Sequence, residues 1–122
     1  MSEFGNFADD PELQRAYGAL EAGNYAEAFR LYLPLAKRGV AAAQSTVGSM
    51  LCNGLGVEQD TRQGLEWYLR AADQGLPLAF HNLGTLYMVG APGLPSDPAL
   101  AKRYFRKAKE LGFEMPMPME EE

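Results

Sequence analysis

The chain has 122 residues, enough for one domain with a buried core and too few for two of ordinary size. Its net charge is −5, but Glu120, Glu121 and Glu122 supply three of those charges and the rest of the chain carries only −2, so neither nucleic acid nor an anionic membrane surface would attract the body strongly. No apolar run approaches the ~18 residues needed to span a bilayer. Met1 to Asp10 lacks the basic start and apolar centre of a secretory signal, so the expected location is the cytoplasm. Cys52 is the only cysteine, which excludes an internal disulfide and a thiolate zinc site, and His81 is the only histidine.

The apolar spacing is helical throughout. Asp10 before Pro11 reads as a cap and first residue of a helix over 11–22. Asn24 with Glu27 forms a capping-box pattern opening a second helix over 25–38. Pro34 falls inside it and is expected to kink or open it. Ala43, Val47, Met50 and Leu51 draw one stripe on a third helix, 40–53. Asp60 and Gln63 repeat the capping pattern ahead of a fourth, 61–74. Pro77 opens a fifth, 77–89, and Ser96 and Asp97 before Pro98 cap a sixth, 98–111. Gly23, Gly39, Gly54, Gly75, Gly90 and Gly112 stand where left-handed helix caps are expected. No segment alternates apolar and polar residues, so no strand is expected.

These helices repeat. Ala43, Val47, Gly48, Leu51 and Gly54 correspond to Ala79, Leu83, Gly84, Tyr87 and Gly90, each 36 positions on (84 minus 48). Trp67, Tyr68, Ala71, Ala72 and Gly75 correspond to Tyr104, Phe105, Ala108, Lys109 and Gly112, now 37 apart because the loop from Gly90 to Leu94 holds one more residue than that from Gly54 to Val57. Leu31, Tyr32, Leu35, Ala36 and Gly39 form an earlier copy. A period of this size implies an all-α superhelical repeat domain of three antiparallel helix pairs over 11–112, between a flexible N-terminus (1–10) and a mobile acidic tail (113–122). Small residues such as Gly48 and Gly84 are expected to face large ones such as Tyr68 and Phe105, with Trp67 in the core.

The segment Ala79-Phe80-His81-Asn82-Leu83-Gly84-Thr85-Leu86-Tyr87, followed by Gly90 and a loop to Asp97, resembles the first half of a Sel-one-like repeat. The loop Gly54 to Asp60 and the helix Gln63 to Gly75 resemble the family's inter-helix loop and second helix. The resemblance runs from Val40 to Gly112, while Gly23-Asn24-Tyr25 and Ala28 look more like the parent tetratricopeptide repeat. It implies an α/α superhelix that assembles other proteins and is not an enzyme. Carried over position by position, it implies a partner-binding concave row of Ser45, Ser49, Asn53, His81, Thr85 and Met88, with Val89 a further candidate. In the first unit Leu13, Tyr17 and Leu20 are candidates.

The expected function is therefore a bacterial-type adaptor that binds a protein or peptide partner, with no cofactor, no metal and room for self-association. An immunity or regulatory protein occluding a toxin or enzyme is the alternative. A hydrolase would need a base for Ser45 or Ser49, with only His81 available, and a cell-wall binder would need exposed aromatic platforms where most aromatics are committed to the core. Cys52 is expected to pack rather than react. The basic cluster Lys102, Arg103, Arg106, Lys107 and Lys109 could meet an acidic partner or Glu120 to Glu122.

Overall fold

Each helix of the computed structural model, which describes residues 10–113, is followed within two residues by a glycine at positive φ. The elements are α1 (Pro11–Glu21), α2 (Tyr25–Lys37), α3 (Ala41–Asn53), α4 (Thr61–Asp73), α5 (Pro77–Val89) and α6 (Pro98–Glu110). All lie within one residue of the expected spans. No strand occurs among the described residues. Ala91 and Leu94 exchange both backbone hydrogen bonds, a two-residue hairpin within the α5–α6 loop.

The caps follow the sequence with three differences. Asp10 accepts from the N–H groups of Glu12 and Leu13, Asp60 from Gln63 and Asp97 from Leu100. Asn24 makes no side-chain cap, because Glu27 pairs with Arg30 one turn along instead of reaching back. Ser96 donates to the Met88 carbonyl and leaves the cap to Asp97. Gly90 has φ 78 but ψ 178, an extended glycine conformation rather than the left-handed cap expected there. Helix α2 runs unbroken through the exposed Pro34.

Backbone bonds repeat with the sequence. Val40, Leu76 and Phe113 each donate to the carbonyl five residues back, at Leu35, Ala71 and Ala108. Asp60 donates to Leu51 and Asp97 to Tyr87, closing the two inter-helix loops in the same way.

Within a pair, glycine meets aromatic. A Cβ on Gly48 would stand 2.7 Å from the Tyr68 ring, and one on Gly84 would stand 2.6 Å from the Phe105 ring. The α3–α4 crossing is closer still, since a Cβ on Gly64 would lie 2.4 Å from Cys52 Sγ and 2.8 Å from the Gly48 carbonyl oxygen. Consecutive helices pack against each other along the chain, and α3 also touches α5. The first helices of the second and third pairs therefore approach more closely than their second helices do, which sets α3 and α5 on the inside of the curve. The main core joins Leu13, Tyr32, Leu35, Val47, Met50, Leu51 and Trp67 across α1 to α4.

A polar clamp joins the first two pairs. Gln44 donates to the Ala36 carbonyl, and Gln74 donates both to the Gly39 carbonyl and to Gln44. At the other end Phe113 lies over His81, ring centres 4.6 Å apart, and Phe105 lies on the same ring at 5.3 Å. His81 Nδ1 is buried without a hydrogen-bond partner. Burial holds the imidazole below its ordinary value, since the cation must carry an N–H on that nitrogen and no acceptor faces it.

Two glycines test the packing with opposite signs. Gly64→Ala should destabilise the domain by about 1–3 kcal/mol, because neither the Gly48 carbonyl nor the Cys52 backbone can retreat. Gly18→Ala, inside α1 with nothing within 4 Å of its would-be Cβ, should stabilise by about 0.4–1 kcal/mol. Denaturant melts of the two variants check this, and shifts of the same sign would refute it.

A group whose cation is disfavoured in the fold takes up more protons when unfolded. Its contribution is complete above the unfolded value near ~6.5 and is lost as pH falls through the lowered folded value. The melting temperature should therefore decline from about pH 7 to pH 5.5, and His81→Phe should flatten that slope. Equal slopes for the two proteins would overturn the assignment.

Candidate functional site

Residues 36 apart place two matching stripes on the inner helices. On α3 the stripe is Ala42, Thr46, Ser49 and Asn53, and on α5 it is Leu78, Asn82, Thr85 and Val89. The i, i+4, i+7, i+11 spacing keeps each set on one helix face. The α5 stripe is the more open, with Leu78, Thr85 and Val89 exposed and Val89 reaching 74%. Neither stripe carries a charge. On α3 the polar atoms turn back on their own helix: Thr46 Oγ1 donates to the Ala42 carbonyl at 3.0 Å and Asn53 Nδ2 to the Ser49 carbonyl at 2.9 Å.

Toward α1 the surface deepens. Leu13 and Tyr17 of α1, Tyr32 of α2, and Ala42 and Thr46 of α3 line a largely apolar cleft of about 380 Å³. Tyr17 sits at its mouth, where a hydrogen bond to the Glu21 carboxylate raises its phenol above the ordinary value. Burial pushes the Tyr32 hydroxyl to about 12. Both phenols are neutral across the physiological range.

The six residues expected to form one row divide among four environments. Ser45 is 2% exposed and its hydroxyl accepts from Asn82 Nδ2 at 2.9 Å, which ties α3 to α5. His81 and Met88 turn toward α6, His81 against Phe105 and Phe113, and Met88 onto the cluster around Ala101, Phe105 and Ala108. Ser49 is half-buried and within hydrogen-bonding reach of the Tyr68 hydroxyl. Only Asn53 and Thr85 are exposed. Of the first-unit candidates, Leu13 and Tyr17 line the cleft, while Leu20 packs on the main core. Thr46 and Asn82 were missed, although they follow Ser45 and His81 by a single position.

The chemistry of these groups is quiet. Among the described residues no serine is hydrogen-bonded to His81, and no group of three or more His, Cys, Asp or Glu residues could hold a metal ion. Burial pushes the Cys52 thiol up to about 11, which leaves little thiolate to react. Trp67 is buried, with the Arg70 guanidinium 4.5 Å above its ring. Lys102, Arg103, Arg106, Lys107 and Lys109 are exposed along α6, and the acidic tail offered as their counterpart lies outside the described residues.

Comparison with known proteins agrees with the fold. The Sel1 repeat family matches residues 15–40, 41–76 and 77–113. A Sel1 repeat protein from Oxalobacter formigenes has a crystal structure that superposes with a TM-score of 0.70 at 32% identity, over 80% of this chain and 40% of that one. A protective antigen present in uropathogenic Escherichia coli strains, displaying an SLR fold, gives 0.65 at 33% identity over 72% of this chain and 19% of that one. Among curated proteins, chitin synthase regulatory factor 2 of Schizosaccharomyces pombe is 32% identical over 81 residues, and regulatory factor 3 of the same yeast is 48% identical over 42. The chain spans only 16% and 4% of the lengths of those two proteins. With three matched repeats on a folded α/α scaffold, the chain belongs to the Sel1 repeat family.

Proposed function

We propose that this chain is a non-catalytic protein-binding module that holds a segment of a partner protein against the inner face of α1, α3 and α5. The observation that carries this is the apolar cleft between Tyr17 and Thr46, which continues into the uncharged stripe ending at Thr85 and Val89. An apolar anchor side chain fits the cleft, and the partner's backbone would run along the stripe, where Asn53 and Thr85 are exposed to bond it. Sel1 repeats generally mediate contacts between proteins. Two relatives are named as regulatory factors of an enzyme, which favours a regulatory partner over a purely structural one. We assign a cytoplasmic setting as part of this reading, with which a single free, buried cysteine, Cys52, is compatible. No helix among the described residues is long and apolar enough to cross a membrane.

The test is site-specific photo-crosslinking in host extract, with the probe at position 46 or 85 and a control at Arg103 on α6. One discrete adduct shared by positions 46 and 85 and absent at 103 is expected. Thr85→Glu should weaken that adduct while shifting stability by no more than about 0.5 kcal/mol. Because the α3 and α5 stripes carry no charge, binding should change little between about 50 and 500 mM salt. Adducts at Arg103 alone would move the interface to the outer helices.

A further inference from the structure

The second helices enclose a different kind of groove, on the opposite side of the molecule from the inner face. Phe29, Leu33 and Lys37 stand at i, i+4 and i+8 on one face of α2, and Gln63 and Trp67 stand at i and i+4 on α4. Between them lies a cavity of about 540 Å³, in the range that holds one or two side chains of a ligand. Helices α2 and α4 run the same way, because each is the neighbour of α3 and packs antiparallel to it. Two contacts fix the ends. Gly56, in the loop before α4, approaches the Tyr25 carbonyl at the start of α2, and Gln74, just after α4, donates to the Gly39 carbonyl just after α2.

This orientation separates two charges. Glu58 lies in the loop at the N-terminal end of the groove, and Lys37 lies eight residues along α2 from Phe29, roughly 12 Å away by helical rise. Among the described residues neither has a hydrogen bond or ion pair. The neighbouring carboxylate, Asp60, is already committed to capping α4 and to the Gln63 amide. The middle of the groove is apolar, from Phe29, Leu33 and the edge of Trp67. A mixed groove with apolar side chains between an acid at one end and a base at the other, neither paired among the described residues, has a defined electrostatic complement.

We infer that the α2–α4 groove is a second docking site, for a protein segment carrying an apolar anchor between a basic and an acidic residue. The basic residue pairs with Glu58, the anchor fills the trough against Trp67, and the acidic residue pairs with Lys37. The site is independent of the inner face and differs from it in depending on charge.

A randomised peptide library displayed on phage, selected against the full chain, tests this. The expected selection is enriched in peptides with one order of base, apolar residue and acid. The same selection against the Lys37→Glu, Glu58→Lys double variant should enrich the reversed order. Both positions are exposed and neither side chain is hydrogen-bonded or ion-paired among the described residues. The fold should therefore be kept, with only a small loss of stability from an acid in the last turn of α2. A synthetic peptide from the first selection should lose roughly three- to thirtyfold in affinity on either single reversal. It should weaken in high salt and bind Thr85→Glu as it binds the parent. Peptides indifferent to both reversals, an identical order from both proteins, or no enrichment would overturn the site. The readouts on Thr85 belong to the inner face, so one surface can fail without the other.

Discussion

The fold depends on how closely the two helices of a pair can approach. At Gly48 and Gly84 the backbone presents no side chain to the partner helix, and an aromatic ring, Tyr68 or Phe105, fills the space against it. The contact occurs at equivalent positions in successive pairs, so it fixes the same separation and crossing each time. A constant crossing lets the pairs stack into a regular curve, with α3 and α5 inside and α4 and α6 outside. The inner cleft and the outer groove are both consequences, since each is the space left between neighbouring units that cannot close further.

The helix boundaries were almost fully legible in the sequence, because each is fixed locally by an acidic cap, a proline at the first turn or a glycine at positive φ. Where local signals competed, the reading failed. Asn24 had its capping partner at the right spacing, but Glu27 found Arg30 on the same helix face. The inner face was less legible for a geometric reason. The repeat period equates position 45 with 81 and 46 with 82, yet it does not say which of the two points inward. One residue turns a helix by about 100°, so a one-position error in register carries Ser45 from the exposed stripe to a buried bond with Asn82. Ser49, Asn53, Thr85 and Val89 of the expected row do share the stripe.

The burial of Cys52 and Tyr68 beside Gly64 illustrates how one position serves several constraints. The thiol fills the gap that Gly64 opens, and the tyrosine hydroxyl reaches Ser49 and Cys52. A reactive thiol would need solvent and a nearby positive charge, and the packing offers neither. Cys52 is therefore a packing group rather than a reactive one.

The uneven distribution of buried side chains gives the domain a direction. Among the described residues, eleven buried side chains form the cluster spanning α1 to α4, six form the next, and three form the cluster at α6. The glutamine clamp that locks the first junction has no counterpart at the far end, where Phe80 and Leu111 occupy the positions equivalent to Gln44 and Gln74. In a stack where each unit is held mainly by its neighbours, cooperativity is limited by the weakest junction. With the clamp at one junction and none at the other, the third pair should open before the second, and the amides of α3 should stay protected after those of α6 have exchanged. The first two pairs would then act as a base, and the order of the third could be tuned by whatever docks beside it.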